Sequence, residues 1–501
     1  MAPAAPAVSG EATVTIPGVE FTGVNVFTHE QLTSLIAHEI GRPLSFAELQ
    51  EMARVIEQHY HDSGYRLVKV VIPDQAFADG QHLKLAVFEG WLGNVEVEGN
   101  QRYSDSRVVQ TLAAAGLQTS QAFTMEDAER ALTLLNRRSG IEVSSTLRPG
   151  QEAGSTDMLV DVRESNRVAG SVEVNNYGSK NSGEHRVVPS LKLPNVTGRG
   201  DELNFIGMHT LDSGNAYFGY VAYQTPVNVV GTSVHAYASK GNVSIGREFK
   251  VLEIEGDSSS WGLGVSQDYV LSSRNIINLE AWLEAQNLEQ TMLGFTTSDD
   301  RTRKLRFGAS LDKSDIGGRT LASVNLHQGL GDTLGAMEND SAFSSRSYAG
   351  ADNDFTKLTF DLIRLQRLSD RVLLMPRLSG QYAFDSVIAS EQWSVGGFNS
   401  VLGHPSSAYS GDSGFTASLE GRYALIQGDD RFQLLARADH GQVFIKTPFI
   451  DQDDSTDISG FGIGLLVRPI DSVDLRVDWG VPVGSKTEDS SYVYAQARYR
   501  F

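Results

Sequence analysis

The chain has 501 residues, 21% charged and 40% hydrophobic, and no run approaches eighteen consecutive apolar residues, so no transmembrane helix is available to it. Its formal net charge of -20 excludes the basic surface that a nucleic-acid partner requires, and the absence of cysteine excludes disulfides and thiolate-metal sites. A length of this kind holds two to four domains, or one large barrel with appendages.

The opening residues Met1-Ala2-Pro3-Ala4-Ala5-Pro6 lack the positive and apolar regions of a signal peptide. If the chain crosses an inner membrane, its signal has been removed and Met1 is not the natural start. Residues 1–18, with Pro3, Pro6 and Pro17 and no helical apolar stripe, read as a flexible lead.

Residues 19–91 then read as strand, helix, helix, strand, strand. Thr28 with Gln31, and Ser45 with Glu48, have the form of capping boxes ahead of two helices that end near Gly41 and Gly64. Tyr65–Ile72 and His82–Phe88 follow as strands. Residues 92–165 repeat the order: a strand over Gly93–Gly99, helices over Ser104–Ala115 and Thr124–Arg138, and strands over Ile141–Leu147 and Met158–Val162. Two consecutive β-α-α-β-β units form an internal repeat of architecture, with no obvious repeat of sequence.

From about Asn166 to Phe501 the helical periodicity is gone. Alternating segments take over: Phe415, Ala417, Leu419, Gly421 and Tyr423 share one face, and Thr416, Ser418, Glu420 and Arg422 the other. Val473, Leu475, Val477 and Trp479 oppose Asp474, Arg476 and Asp478 in the same way. The last strand sets Val493, Ala495, Ala497, Tyr499 and Phe501 against Tyr494, Gln496, Arg498 and Arg500. A mid-strand charge is tolerable only toward a wet lumen, because on the lipid face near mid-bilayer it costs about 2–4 kcal/mol. With roughly twenty residues per strand and connection, residues 166–501 supply about sixteen antiparallel strands of a transmembrane β-barrel, closed on a carboxyl-terminal aromatic.

Several segments, in order, resemble a known family. Phe88–Asn100 is similar to a junction between two POTRA domains. Asn176-Tyr177-Gly178, Gly183, Arg186 and Gly198-Arg199-Gly200-Asp201 resemble a first barrel hairpin, and Ser390-Glu391-Gln392-Trp393 with Gly396–Val401 the approach to a long sixth extracellular loop. The family is the TpsB transporters of two-partner secretion, the haemolysin and filamentous-haemagglutinin exporter type within the POTRA-barrel superfamily. The resemblance implies POTRA 1 over 19–91, POTRA 2 over 92–165, a barrel over 166–501, and a sixth loop near 394–414. It further implies an outer-membrane location with the POTRA domains in the periplasm. There they capture an unfolded TpsA-like exoprotein that the barrel exports without nucleotide hydrolysis. Lipopolysaccharide and periplasmic chaperones are the companions expected of such a protein; nucleic acid, cofactor, metal and catalytic residues are not.

The sequence departs from the family at the loop tip. The family motif is Val-Arg-Gly-Tyr or Val-Arg-Gly-Phe, whose arginine pairs with an acid on the inner wall. Here the matching residues are Val401, Leu402, Gly403 and His404, and the matching acid is Asp439. An unpaired Asp439 is costly in a crowded lumen. Arg437, two residues away on the same strand face, either supplies the missing charge from the wall, or Asp439 is simply hydrated. Some relatives also carry a plug helix ahead of the first POTRA domain, which the lead does not encode. For substrate binding, the expected POTRA edges run through Val68, Val70 and Ile72 and through Ile141 and Val143, by addition of an extended segment to a sheet.

Other signals are set aside. Gly411-Asp412-Ser413-Gly414 resembles a protease nucleophile segment but has no base or oxyanion hole around it. Gly460-Phe461-Gly462-Ile463-Gly464 lies in an alternating strand, where small residues relieve lumen crowding. His59 and His61 do not share a helix face, and Asp451–Asp457 reads as solvated loop. Against export stand an insertase-like assembly factor, which the superfamily also contains, and a passive diffusion porin.

Overall fold

The computed structural model describes residues 13–76, 78–212, 215–484 and 491–501. The chain divides into two compact units, residues 13–137 with 141–164, and residues 138–140 with 165–501.

The first unit contains both β-α-α-β-β repeats. In the first, Val19–Thr22, His29–Ile36, Phe46–Asp62, Val68–Val71 and Leu83–Glu89 follow one another, and Leu83–Glu89 is the central strand, parallel to the first and antiparallel to Val68–Val71. Both capping boxes are formed, at Thr28 with Gln31 and at Ser45 with Glu48. The helix Phe46–Asp62 buries Leu49, Met52, Ala53, Ile56 and Tyr60, a single stripe of helical period, against this sheet. Gly64, at φ +93°, ends it. Residues 13–16, expected within a flexible lead, are part of the fold: Thr13–Thr15 pairs with Pro43–Ser45, and Ile16 is buried in the core. Apolar Val14 and Ile16 draw this end onto the domain. The earlier residues, with the proposed absence of a plug helix, lie outside the described residues.

The second repeat has the same order: Trp91–Glu98, Asp105–Ala114, Met125–Asn136, Ile141–Pro149 and Ser155–Glu164, with the last strand central. The repeat reaches further into chemistry than the sequence suggested. Glu89 accepts the N–H groups of Asn25 and Val26, and Glu164 accepts those of Gln101, Arg102 and Tyr103. Each acid, at the end of its central strand, closes the turn between first strand and first helix. Gly23 and Gly99 occupy that turn at φ +79° and +86°. Burial raises the Glu164 carboxyl, but the donors of Tyr103 and Arg102 outweigh it and hold the group down at about 2.

The second unit is a closed antiparallel barrel of sixteen strands, from Ala169–Asn175 to Tyr492–Arg500, whose first and last strands pair from Gln496 opposite Asn175 to Arg500 opposite Ser171. No helix among the described residues is long and apolar enough to cross a membrane; the strands cross instead. Alternation sends Leu475, Val477, Trp479, Val493, Tyr499 and Phe501 outward and exposed. Inward charges meet one another: Arg476 donates to Asp478 at 2.7 Å and to Glu420 at 2.9 Å. The sixth extracellular connection spans residues 384–412, between Val372–Ala383 and Ser413–Ile426, and so begins ten residues earlier than expected. Pairing of these two strands ends at Gln381 opposite Gly414, and beyond it the Val387 N–H bonds Asp412 and Glu391 pairs with Lys304.

Candidate functional site in the barrel lumen

The sixth loop is held at its root and at its tip. Near the root, Glu391 is 3% exposed and accepts Lys304 at 2.6 Å and Lys357 at 2.7 Å, from two different wall strands. Asp412, fully buried, forms an ion pair with Arg346 of the fifth extracellular loop and accepts the main-chain N–H groups of Val387 and Lys446, each at 2.8 Å. One carboxylate thus ties three extracellular loops together. Gly411-Asp412-Ser413-Gly414 owes its character to this junction.

The loop then makes a short hairpin, Trp393–Val395 with Tyr409–Gly411, and Val395 and Val401 pack on Val443 and Ile458 of the wall. Beyond it, Val401, Leu402 and His404 are buried. Arg437 Nε lies 2.7 Å from Asp439 Oδ1, well within an ion pair. The guanidinium also donates to the Phe398 carbonyl at 2.7 Å and the Ser400 carbonyl at 2.6 Å, while Asp439 Oδ2 accepts the Leu402 N–H at 3.1 Å. The charge absent from position 402 stands on the wall and grips the loop by its main chain. Asp439 is paired, and of the two alternatives the hydrated one does not describe this structure.

Leu402 has a seat of its own. A Cβ on Gly462 would come 2.6 Å from Leu402 Cδ1, and one on Gly480 3.0 Å from Leu402 Cβ; one on Gly460 would collide with the Leu402 carbonyl. The glycine-rich strand therefore serves a particular contact: its bare backbone makes a groove for the tip. Gly403, at φ +80°, gives the tight bend that lays the tip along this groove. His404 Nε2 donates to the Ser459 carbonyl at 2.8 Å, and the Tyr494 hydroxyl to the His404 carbonyl at 3.1 Å.

Val68–Val71 and Ile141–Pro149 are edge strands, but Val68, Val70, Ile141 and Val143 point into the cores, and Ile72 falls beyond its strand. Each edge is blunted by a neighbouring helix: Glu57 accepts the Val70 N–H at 3.1 Å, and Asn136 bonds both the N–H and the carbonyl of Val143. Glu184, His185 and Asp212 at the extracellular rim lie within cation-binding distance of one another; His185 and the Glu184 N–H bond Asp212 Oδ2, while its buried Oδ1 has no hydrogen-bond partner.

Sequence reasoning named Arg437, Asp439 and the tip, which the structure brings together. It missed Glu391, Asp412, Lys304, Lys357 and Arg346. Glu391 lies in the segment that resembled the family, and that resemblance was the available signal.

A sixteen-strand barrel that carries two POTRA-like domains and an inward-folded sixth loop defines the class of POTRA-barrel outer-membrane transporters. The pattern of the haemolysin secretion/activation protein ShlB/FhaC/HecB family matches residues 154–467, and that of the ShlB-type POTRA domain residues 14–90. The chain belongs to this family. It is 22% identical over 398 residues to the heme/hemopexin transporter protein HuxB of Haemophilus influenzae, across 79% of this chain and 69% of that protein. It is 23% identical over 518 residues to the hemolysin transporter protein ShlB of Serratia marcescens, across 100% of this chain and 88% of that one. CdiB from Escherichia coli has the same fold, with a TM-score of 0.80 at 19% identity, covering 100% of this chain and 93% of that one. The protein is accordingly an outer-membrane TpsB transporter, with its POTRA domains in the periplasm, that exports a secreted TpsA-type exoprotein.

Proposed function

We propose that export proceeds by displacement of the sixth-loop tip from its seat. The unfolded exoprotein is taken up along the POTRA sheet edges at Val68–Val71 and Ile141–Pro149, where it replaces the Glu57 and Asn136 side chains as hydrogen-bond partner. It then enters the lumen as the tip withdraws. The observation that carries this reading is the kind of bond at the tip: a few hydrogen bonds, most of them to main chain, and an apolar groove, with both members of the ion pair on the wall. Such contacts break and reform without stranding a charge in the lumen. The transporter performs no chemical step of its own. Periplasmic chaperones keep the exoprotein unfolded before uptake, and lipopolysaccharide packs against the outward apolar strands.

Removal of residues 13–90 tests the division of labour, because it leaves the second repeat and residues 138–140 intact. Export is expected to collapse while single-channel conductance survives. Export undiminished by that deletion would contradict POTRA capture.

A further inference from the structure

The seat of the sixth-loop tip has the chemistry of a peptide-binding site. The Phe398 ring lies face to face with Tyr177, centroids 4.0 Å apart and planes at 9°. Tyr494 stands 5.6 Å away, and the Arg476 guanidinium is 4.9 Å over the same ring. From that aromatic anchor onward, Arg437, Asp439 and Tyr494 reach only main-chain atoms of the loop: the carbonyls of Phe398, Ser400 and His404 and the N–H of Leu402. Every polypeptide carries these groups; what is peculiar to the loop is the Phe398 ring, the Leu402 side chain in its groove and the His404 bond to Ser459.

We propose that Tyr177, Arg476, Arg437, Asp439 and Tyr494 form a subsite for the exported chain, and that the loop occupies it at rest. The ligand class is an unfolded segment with an aromatic side chain, stacked on Tyr177, followed by a bent main chain whose carbonyls meet Arg437. The inference rests on the reading that the tip leaves its seat during export. Arg437 and Asp439 both belong to the wall strand Asp429–Phe444, so their pair stays whole when the loop departs. One edge of the guanidinium remains neutralised while Nη1 and Nη2 are left free to donate. An arginine carried on the loop would leave with it, and the wall would keep only an acid. A cavity of 460 Å³ beside the seat, bordered by Tyr177, Phe398, Ser400, Ser418, Glu420 and Arg437, gives an incoming segment room to approach.

The test uses single-channel currents of the full chain with residues 397–406 replaced by a short Gly-Ser link, which leaves Glu391 and Asp412 in place. Two unfolded polar peptides of the same sequence, one with phenylalanine and one with alanine at the same positions, are added as blockers. The phenylalanine peptide is expected to dwell about tenfold longer than the alanine peptide, an advantage lost in Tyr177→Leu. Arg437→Lys keeps Asp439 paired but cannot bridge two carbonyls, and it should shorten the dwell of the phenylalanine peptide about tenfold. Heat-modifiable migration on gels confirms that each variant is folded. Equal dwell times for both peptides and both walls would overturn the subsite and leave the export reading standing. A loop-shortened barrel that conducts no better than the intact one would overturn the export reading, and the subsite with it.

Discussion

The root and the tip of the sixth loop are both buried in one barrel, yet they are held by opposite means. At the root the loop contributes the charge: Glu391 meets Lys304 and Lys357, and Asp412 meets Arg346. At the tip the loop contributes main chain, the rings of Phe398 and His404 and apolar Leu402, and the wall supplies both members of the ion pair. Separating the root strands buried charges, with an effective penalty of several kcal/mol per ion. Separating the tip leaves Arg437 and Asp439 still paired. Under the proposed export step, the difference teaches where motion belongs: the root is the hinge end and the tip the end that is released.

The largest effect is expected at the root. Asp412→Ala leaves Arg346 buried without its acid and removes the acceptor for two main-chain N–H groups, a loss of about 3–5 kcal/mol. The thermal transition of the barrel should fall, and protease should cut within residues 330–355 and 384–412 of the folded protein. Proteolysis as slow as in the parent would mean that the root is not the fixed end, and the contrast with the tip would fail.

An intermediate effect is expected at the tip. Asp439→Ala removes the acceptor of the Leu402 N–H and the partner of Arg437, worth about 1.5–3 kcal/mol for hydrogen bonds to a charged group. The loop should leave its seat more often, read as a higher open probability in bilayer recordings and an altered rate of secretion. Protease resistance of residues 330–355 should stay at the parent level, since the root is untouched. Unchanged opening and unchanged secretion together would remove the tip from conformational control.

That Arg437 and Asp439 share a face was legible in the sequence and the root was not, for a physical reason; the tip itself was named only through the resemblance to the family. Arg437 and Asp439 are two residues apart on one strand, so period-two alternation alone places both on the same face. Glu391 meets Lys304 from 87 residues away and Lys357 from 34. Asp412 meets Arg346 across 66 residues. Such pairs exist only once the barrel has closed in register, and no local pattern announces them. The capping boxes at Thr28 and Ser45 were legible because each spans a single helical turn. The twin carboxylates Glu89 and Glu164 were not, because each closes a turn more than sixty residues earlier in the chain. The same limit explains the blunted POTRA edges: alternation marks Val70 and Val143 as strand residues, but the helix side chain that caps each strand is a matter of packing.

The smallest expected effect separates shape from hydrogen bonding at the tip. Gly460→Ala removes no donor, acceptor or charge, but its Cβ would collide with the main-chain carbonyl of Leu402. Backbone on both sides cannot give way as a flexible side chain would, so the tip must lift from the groove, at a cost of about 1–3 kcal/mol as for other overpacked sites. Gly421→Ala is the matched control in the same barrel, since its Cβ meets nothing nearer than 3.9 Å. If the bare groove is what seats Leu402, Gly460→Ala opens the channel more often while Gly421→Ala stays silent, and both keep the thermal transition of the parent. If the two variants behave alike, the hydrogen bonds of Arg437 and Asp439 hold the tip without help from shape. The glycines would then be only an accommodation to a crowded lumen. A graded outcome, in which Gly460→Ala opens the channel less than Asp439→Ala does, is what the geometry predicts: Gly460→Ala leaves the Arg437–Asp439 pair whole, and Asp439→Ala does not.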